Sequence, residues 1–325
     1  MKLRWLLSSI GVTGLTAAVL AQLGEARKPD SYSYSAAFYS SATAMMGSPE
    51  LTVFPLDSKA IEIPLPFPLG AFAYSPDGKA LYAVAGLNPR NPRGPGGLLR
   101  IDFNPIHVSP IPGSLALGVS RLAVSVHQDK IIISGAYRPG NATSCGVFEL
   151  SVPSGNVRQI LQQPDCHAVS SWSYLSLSPD GERAVATHNR RLEVIDLVHG
   201  ATKSLGDGLL MGSWSPDGKW LAALESGGQG RTILMDASNF VRRRILGTSD
   251  IEWSPDSRYL LGWKKHDLCG PDFGTLQMID IENGKMTTIK SSRCRVSQAT
   301  TGWLSTEIAA EAGPANAGNS ASTER

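Results

Sequence analysis

The sequence predicts an all-β fold built from a repeated four-stranded unit, a six-bladed β-propeller. Three observations predict it. A tight-turn motif returns four times, a short apolar run of strand length follows each turn, and one strand-like run near the C-terminus completes a unit left short at the N-terminus. Composition agrees: 33 Gly and 21 Pro in 325 residues promise many turns, and 42% hydrophobic residues suffice for a core. The formal charge is only +2, from 30 Lys+Arg against 28 Asp+Glu. That is far from the excess needed to neutralise phosphates, so nucleic acid is excluded as a partner.

Residues 1–21 place Lys2 and Arg4 ahead of an apolar run from Trp5 to Ala21, with small residues at Val19 and Ala21. This pattern reads as an export signal peptide, or, if uncleaved, as a signal anchor, which would be the chain's single route to a membrane. Removing it deletes Lys2 and Arg4 and no acid, leaving a mature charge of zero. A lead-in follows at 22–32, the propeller occupies 33–305, and 306–325, rich in Ala, Gly, Asn and Ser, is expected to be a disordered tail.

The repeat is carried by Ser75-Pro76-Asp77-Gly78, Ser178-Pro179-Asp180-Gly181, Ser215-Pro216-Asp217-Gly218 and Ser254-Pro255-Asp256-Ser257. Pro pre-sets φ at the first corner of a type I turn, Asp bonds back to the backbone, and Gly takes the left-handed position that closes the hairpin. These are therefore structural turn residues. Apolar runs at 80–85, 184–186, 220–224 and 259–263 follow, and a third strand then ends in Asp102, Asp196, Asp236 or Asp280. A degenerate copy spans 122–133, where the Pro-Asp-Gly is lost, and continues through 147–152 and 157–161. Upstream, 35–40, 51–56 and 61–65 supply three strands without a first, and 297–305 supplies one strand without the other three. A C-terminal strand joining three N-terminal strands would close the ring as a sixth blade and remove the free sheet edges.

The Ser-Pro-Asp-Gly turns, each followed by an apolar strand and a strand ending in Asp, resemble the TolB-type, WD-repeat-like propeller family over about residues 33–305. The resemblance implies the propeller fold, the exchange of terminal strands, and a bacterial protein of the periplasm or a secreted one. It does not imply a Tol-specific role, because the short lead-in leaves no place for the separate N-terminal domain of TolB.

Cys145, Cys166, Cys269 and Cys294 are even in number in a chain read as exported, which favours disulfides. The repeat selects among the three pairings: each pair brackets the third and fourth strands of one unit, giving Cys145–Cys166 and Cys269–Cys294.

Long insertions fall where second-to-third strand loops and blade-to-blade connections meet, at 87–97, 137–145 and 264–274. Candidate binding residues there are Arg90, Arg93, Arg138, His167, Lys264, His266, Arg293 and Arg295, a basic bias toward an anionic ligand or partner surface. No GxSxG elbow, HExxH helix or phosphate-binding Gly-rich loop occurs, so no catalytic residue and no cofactor is assigned. The leading expectation is a monomeric, non-catalytic exported propeller that binds a protein, peptide or envelope component through its loop-rich face. The rival is a lactonase- or hydrolase-like propeller enzyme using His and Asp residues (His167 with Asp165, His266 with Asp267), or a divalent cation, at the channel mouth. Trp214 and Trp253, just before their turns, are expected to pack between blades.

Overall fold

The computed structural model describes residues 34–40, 50–54, 61–85, 97–103, 105–163, 166, 172–226, 231–246, 249–265, 274–292 and 299–305. The expected leader, lead-in and tail lie outside these residues. The described strands are β1 (Tyr34–Ser40), β2 (Glu50–Phe54), β3 (Ile61–Pro64), β4 (Leu69–Tyr74), β5 (Ala80–Ala85), β6 (Leu99–Phe103), β7 (Ile106–Pro110), β8 (Leu117–Val124), β9 (Lys130–Tyr137), β10 (Ser144–Ser151), β11 (Val157–Gln163) and β12 (Ser173–Leu177). They continue as β13 (Arg183–His188), β14 (Arg191–Asp196), β15 (Thr202–Asp207), β16 (Leu209–Trp214), β17 (Trp220–Glu225), β18 (Arg231–Asp236), β19 (Arg242–Leu246), β20 (Ser249–Trp253), β21 (Tyr259–Lys265), β22 (Gly274–Asp280), β23 (Met286–Ser292) and β24 (Ala299–Ser305).

Five blades are antiparallel meanders of four consecutive strands: β4–β7, β8–β11, β12–β15, β16–β19 and β20–β23. The remaining four-stranded sheet is composite, with order β24-β1-β2-β3; β24 and β1 pair antiparallel from Tyr34↔Ser305 to Ser40↔Ala299. The all-β propeller with four-stranded blades is therefore as expected. The first strand of each blade lies innermost and packs on its counterparts, β4 on β8, β8 on β12, β12 on β16, β16 on β20, and β20 on β24.

The second strand of each blade reads as a continuous apolar run because both faces are covered. Leu81, Ala83, Ile131, Ile133, Ala184, Ala186, Leu221, Ala223, Leu260 and Leu261 have no exposed surface at all. The apolar layers between blades are made of both neighbours. One contains Ile132 and Val147 of one blade with Trp172, Ala184 and Ile195 of the next. Trp214 and Trp253 are buried in the layers between the next blades, and the Trp253 indole N–H donates to the Ser213 carbonyl of the preceding blade at 3.0 Å. The outermost strands are polar; β19 carries Arg242, Arg243 and Arg244 on an exposed edge, where charge discourages further strand pairing.

Each inner hairpin is held by a buried serine. The Ser75 hydroxyl donates to Asp77 at 2.6 Å and accepts from the backbone N–H groups of Lys79 and Ala80 at 3.0 and 2.8 Å. Ser178, Ser215 and Ser254 repeat this arrangement with Asp180, Asp217 and Asp256. The residue after each Asp is left-handed: φ is +65° at Gly78, +69° at Gly181, +72° at Gly218 and +61° at Ser257. In the degenerate copy Gln128 takes that place at φ +57°, and the hydroxyl of Ser125 donates instead to Asp129. The Asp residues that end the third strands cap the outer turns. Asp196 accepts from the N–H groups of Val198 and His199, Asp236 from Ser238, and Asp280 from Glu282.

Left-handed residues also lock one blade to the next. Gln128 donates to Asp77 at 2.9 Å and accepts from both Tyr82 and Arg100 of the preceding blade. Ser257 accepts from the Asp217 N–H at 2.8 Å, and the Gly78 carbonyl accepts from the Ser305 N–H of β24 at 2.9 Å.

Two predictions follow from these turns. A Cβ at Gly78 would sit 2.8 Å from the Ser305 nitrogen, whereas a Cβ at Gly181 meets nothing within 4 Å. Gly181→Ala should cost roughly 1–2 kcal/mol, the backbone term alone; Gly78→Ala should cost more in urea unfolding. Equal costs would show that β24 is not seated on this turn. The second concerns acid. Burial acts to raise the Asp77, Asp180 and Asp217 carboxyls, but hydrogen bonds from Ser75, Ser178 and Ser215 and from backbone N–H groups outweigh it, holding all three below the ordinary 3.8. Their contribution is present above 3.8 and is lost as pH falls through the depressed values. Asp217→Asn should therefore flatten the loss of stability below about pH 4, read by thermal melts across the acid range.

Candidate binding site

The two ends of the propeller differ. Every first-to-second strand turn and every third-to-fourth strand turn lies at one end, the turn end, as the links between neighbouring turns require. Second-to-third strand loops and blade-to-blade connections lie at the other, the loop end. The strand ends that flank the widest gaps in the sequence order, Ala85 and Leu99 of β5 and β6 and Gln163 and Ser173 of β11 and β12, are at the loop end. Exposed large apolar side chains at the turn end stand apart, one to a blade, at Ile106, Val126, Val198, Val241 and Met286.

Of the residues the sequence singled out, Arg138 is the one whose side chain is described. It is exposed at the loop end, directly after β9, and its backbone N–H donates to the Ala116 carbonyl at 2.9 Å. Lys264 lies in β21 with its side chain outside the described residues, as are Arg90, Arg93, His167, His266, Arg293 and Arg295. The Cys145–Cys166 disulfide is formed, with the two Cα atoms 5.4 Å apart, and it ties the start of β10 to the connection after β11. Cys269 and Cys294 lie outside the described residues. Beside the disulfide, the Trp172 carbonyl accepts from the Ser134 hydroxyl, and the Trp172 ring stacks on His188 at 4.1 Å between centroids. His188 also stands 3.6 Å from the Glu193 carboxylate.

The inner strands carry side chains that sequence reasoning missed. Tyr174 and Met211, in the bulged loop-end halves of β12 and β16, are left-handed, with φ of +56° and +51°. Non-glycine residues rarely adopt this conformation, and where they do a functional constraint is a frequent cause. Tyr174 is 44% exposed, and the guanidinium of Arg121 on β8 lies 5.9 Å from its ring centroid. Arg121 is itself exposed and donates to the Ser120 carbonyl; no carboxylate among the described residues pairs with it. Arg and Tyr are among the residue types enriched where interfaces concentrate binding energy, and a guanidinium within about 6 Å of an aromatic ring is attracted to its face. Nothing local in the sequence marks a tyrosine for a left-handed bulge, and Arg121 escaped notice because it sits in a strand rather than a loop.

Deeper, toward the turn end, inner-strand positions directly before the residue preceding the turn serine are small: Ala73, Ala123, Ser176 and Ser213. Glu252 holds that register in β20. Its carboxyl is pushed up to about 7 by burial. The break was visible on aligning the four turn motifs. Among the described residues no group of three or more His, Cys, Asp or Glu is placed to hold a metal.

The fold is a β-propeller arrangement of four-stranded blades. Among solved structures it is similar to TolB from Acinetobacter baumannii (TM-score 0.61, 16% identity, 89% of this chain and 71% of that one). It is also similar to a putative TolB from Agrobacterium tumefaciens (0.55, 16%, 84% and 98%) and to a chain of a nidogen/laminin complex (0.55, 12%, 83% and 98%). No family model matches the sequence, and no curated protein sequence matches it.

The Cys145–Cys166 bridge spans a sequence separation of 21 residues. A loop of that length corresponds to about 3 kcal/mol in the chain-entropy account. Cys145→Ser with Cys166→Ser should lower stability by about that amount in urea unfolding, with the β-sheet circular dichroism of the folded state unchanged.

Proposed function

We propose that this chain is an exported, non-catalytic β-propeller that binds a protein or peptide partner through its loop end, as a monomer of six blades. The observation that carries the reading is the Arg121–Tyr174 pair: a guanidinium with no carboxylate partner among the described residues, over an exposed aromatic ring on a left-handed bulge in the loop-end half of β12. Interfaces concentrate energy in such Arg and Tyr anchors, and loops on a rigid scaffold are where recognition resides. Arg121, Arg138 and the basic residues Arg90, Arg93, Arg293 and Arg295 favour a partner surface that is acidic.

The composite sheet serves as the sixth blade in this reading. Its β24–β1 pairing, the Ser305–Gly78 bond and the Trp303 indole bond to the Glu252 carbonyl support a closed ring. Export is supported by the Cys145–Cys166 disulfide, a bond that persists in oxidising compartments, together with the leader pattern of residues 1–21. The nidogen structure is of a complex with laminin, so a similar fold is found there in a protein assembly. The second disulfide, Cys269–Cys294, belongs to the same proposal.

Affinity capture from the periplasm with the purified chain tests it. Arg121→Ala with Tyr174→Ala should reduce recovery of the captured partner at least tenfold, and Arg90, Arg93, Arg293 and Arg295 changed together to Ala should do the same. A matched change at the turn end, Val198→Ala with Val241→Ala, should leave capture intact. Undiminished capture by the first two variants would overturn the loop-end reading.

A further inference from the structure

The outermost strand of each blade presents an edge with no further strand beside it, and an isolated charge is enough to discourage pairing there. β7 carries no Lys or Arg, and β11, β15 and β23 carry one each, Arg158, Lys203 and Lys290. β19 carries three in succession, Arg242, Arg243 and Arg244, more than edge protection uses elsewhere in this fold. Its bulge also differs. The extra residue is Arg243, between the Met235↔Arg242 and Leu234↔Arg244 pairs, whereas in β11 and β23 it is an isoleucine, Ile160 or Ile289. A bulge re-aims side chains, and here it re-aims an arginine.

Residues directly opposite one another share a face of the sheet. Arg242 therefore stands on the side of Met235, which packs toward the preceding blade with Val185 and Val194. Arg244 stands on the side of Leu234, which packs toward the next blade with Trp253 and Leu260, and its guanidinium donates to the Ile281 carbonyl of that blade at 3.0 Å. Two further cations adjoin on the preceding side. Arg231 meets Arg242 at Glu225, and the Lys203 ammonium lies 5.6 Å from the Phe240 ring centroid. The acids are oversubscribed. Glu225 is shared by Arg231 at 3.0 Å and Arg242 at 3.5 Å. Asp236, which Arg243 approaches at 3.4 Å, already accepts from the N–H and hydroxyl of Ser238. No carboxylate among the described residues pairs with Arg244 or Lys203, and the turn that Arg244 reaches adds Glu282 and Lys285, one of each sign. Five exposed cations thus face two shared carboxylates, on a chain whose formal charge is only +2.

We propose that the β19 edge is a docking surface for an extended acidic segment of a partner polypeptide, whose carboxylates Arg242, Arg243 and Arg244 take up. Charge complementarity selects the occupant. Four of the five cations are arginines, whose planar forks hold carboxylates bidentately, whereas attraction to an anionic membrane asks only for point charges. The cations lie on both sides of a single strand, a line that an extended chain can follow. The aromatic ring among them, Phe240, packs on Trp214 and beneath Lys203 instead of standing free to enter a bilayer. Arg121 and Tyr174 lie on inner strands, so this surface does not rest on the loop-end reading.

The test is an amide NMR titration of the full chain with hexaglutamate, acetylated and amidated at its ends. Shifts should centre on β19, Arg231 and Lys203, and hexaglutamine should produce none. Arg242→Gln, Arg243→Gln and Arg244→Gln together should weaken hexaglutamate binding about tenfold or more, because the bidentate charge pairs are lost. Raising potassium chloride from about 50 mM to about 300 mM should weaken it several-fold. Arg121→Ala with Tyr174→Ala should leave it unchanged, so that failure of the loop-end interface and failure of this one are told apart. Absence of shifts in β19 would overturn the proposal. So would an equal loss from a matched triple, Arg190→Gln with Lys219→Gln and Lys285→Gln, which would reduce the effect to overall charge. Arginine-dependent capture by vesicles of phosphatidylglycerol and phosphatidylcholine in equal parts, without hexaglutamate binding, would assign the surface to a membrane and overturn it as well.

Discussion

The serine hydroxyl buried at each inner hairpin is the contact from which the remaining geometry descends. Ser75, Ser178, Ser215 and Ser254 are all but inaccessible, and each satisfies backbone N–H groups that the tight turn would otherwise leave buried and unbonded. The same hydroxyl fixes the Asp of the turn, and the Asp in turn fixes the left-handed residue after it. Because that residue touches the preceding blade at Gly78, Gln128 and Ser257, the conformation of one turn sets the spacing between two sheets. A local hydrogen bond thus acts on the ring as a whole, through units that each contact mainly their neighbours.

This arrangement divides the molecule's chemistry. At the turn end Asp77, Asp180, Asp217 and Asp256 are bonded to serines, and Asp196, Asp236 and Asp280 to backbone N–H groups. At the loop end the spacing between strands varies, from the two residues between β13 and β14 to the stretch between β5 and β6. The Cys145–Cys166 bridge fastens one of the longer connections to its own blade, giving the loop end a covalent support that the turn end does not require. Variable loops over an invariant ring are what a recognition surface needs.

How much was legible in the sequence follows from how local each cause is. The Ser-Pro-Asp-Gly turns, the strands after them and the capping roles of Asp196, Asp236 and Asp280 at outer turns were readable because Pro, Gly and Asp act on backbone within a few residues. The Cys145–Cys166 pairing was readable because the repeat gave it a register. Gln128 was not, since its role lies in bonds to Asp77, Tyr82 and Arg100, none near it in sequence. Tyr174 was not, since no propensity favours an aromatic residue at positive φ; its conformation is imposed by the bulge in β12. The candidate binding residues were drawn from loops on the ground that loops bind, and that ground passes over an arginine such as Arg121, carried into the site by a strand.

Arg121 and Glu252 are charged residues placed where the repeat mostly sets uncharged ones. Both occupy inner strands, one toward the loop end and one toward the turn end, and both lack an opposite charge among the described residues. Leaving a carboxyl buried without a counter-charge disfavours its ionised form, and burial pushes the Glu252 carboxyl up to about 7. The small residues in the equivalent register, Ala73, Ala123, Ser176 and Ser213, show that neighbouring inner strands pack without any acid at that depth. The carboxyl is therefore not required by packing, and what distinguishes it from its counterparts is the charge it can carry at a register where the repeat places small residues.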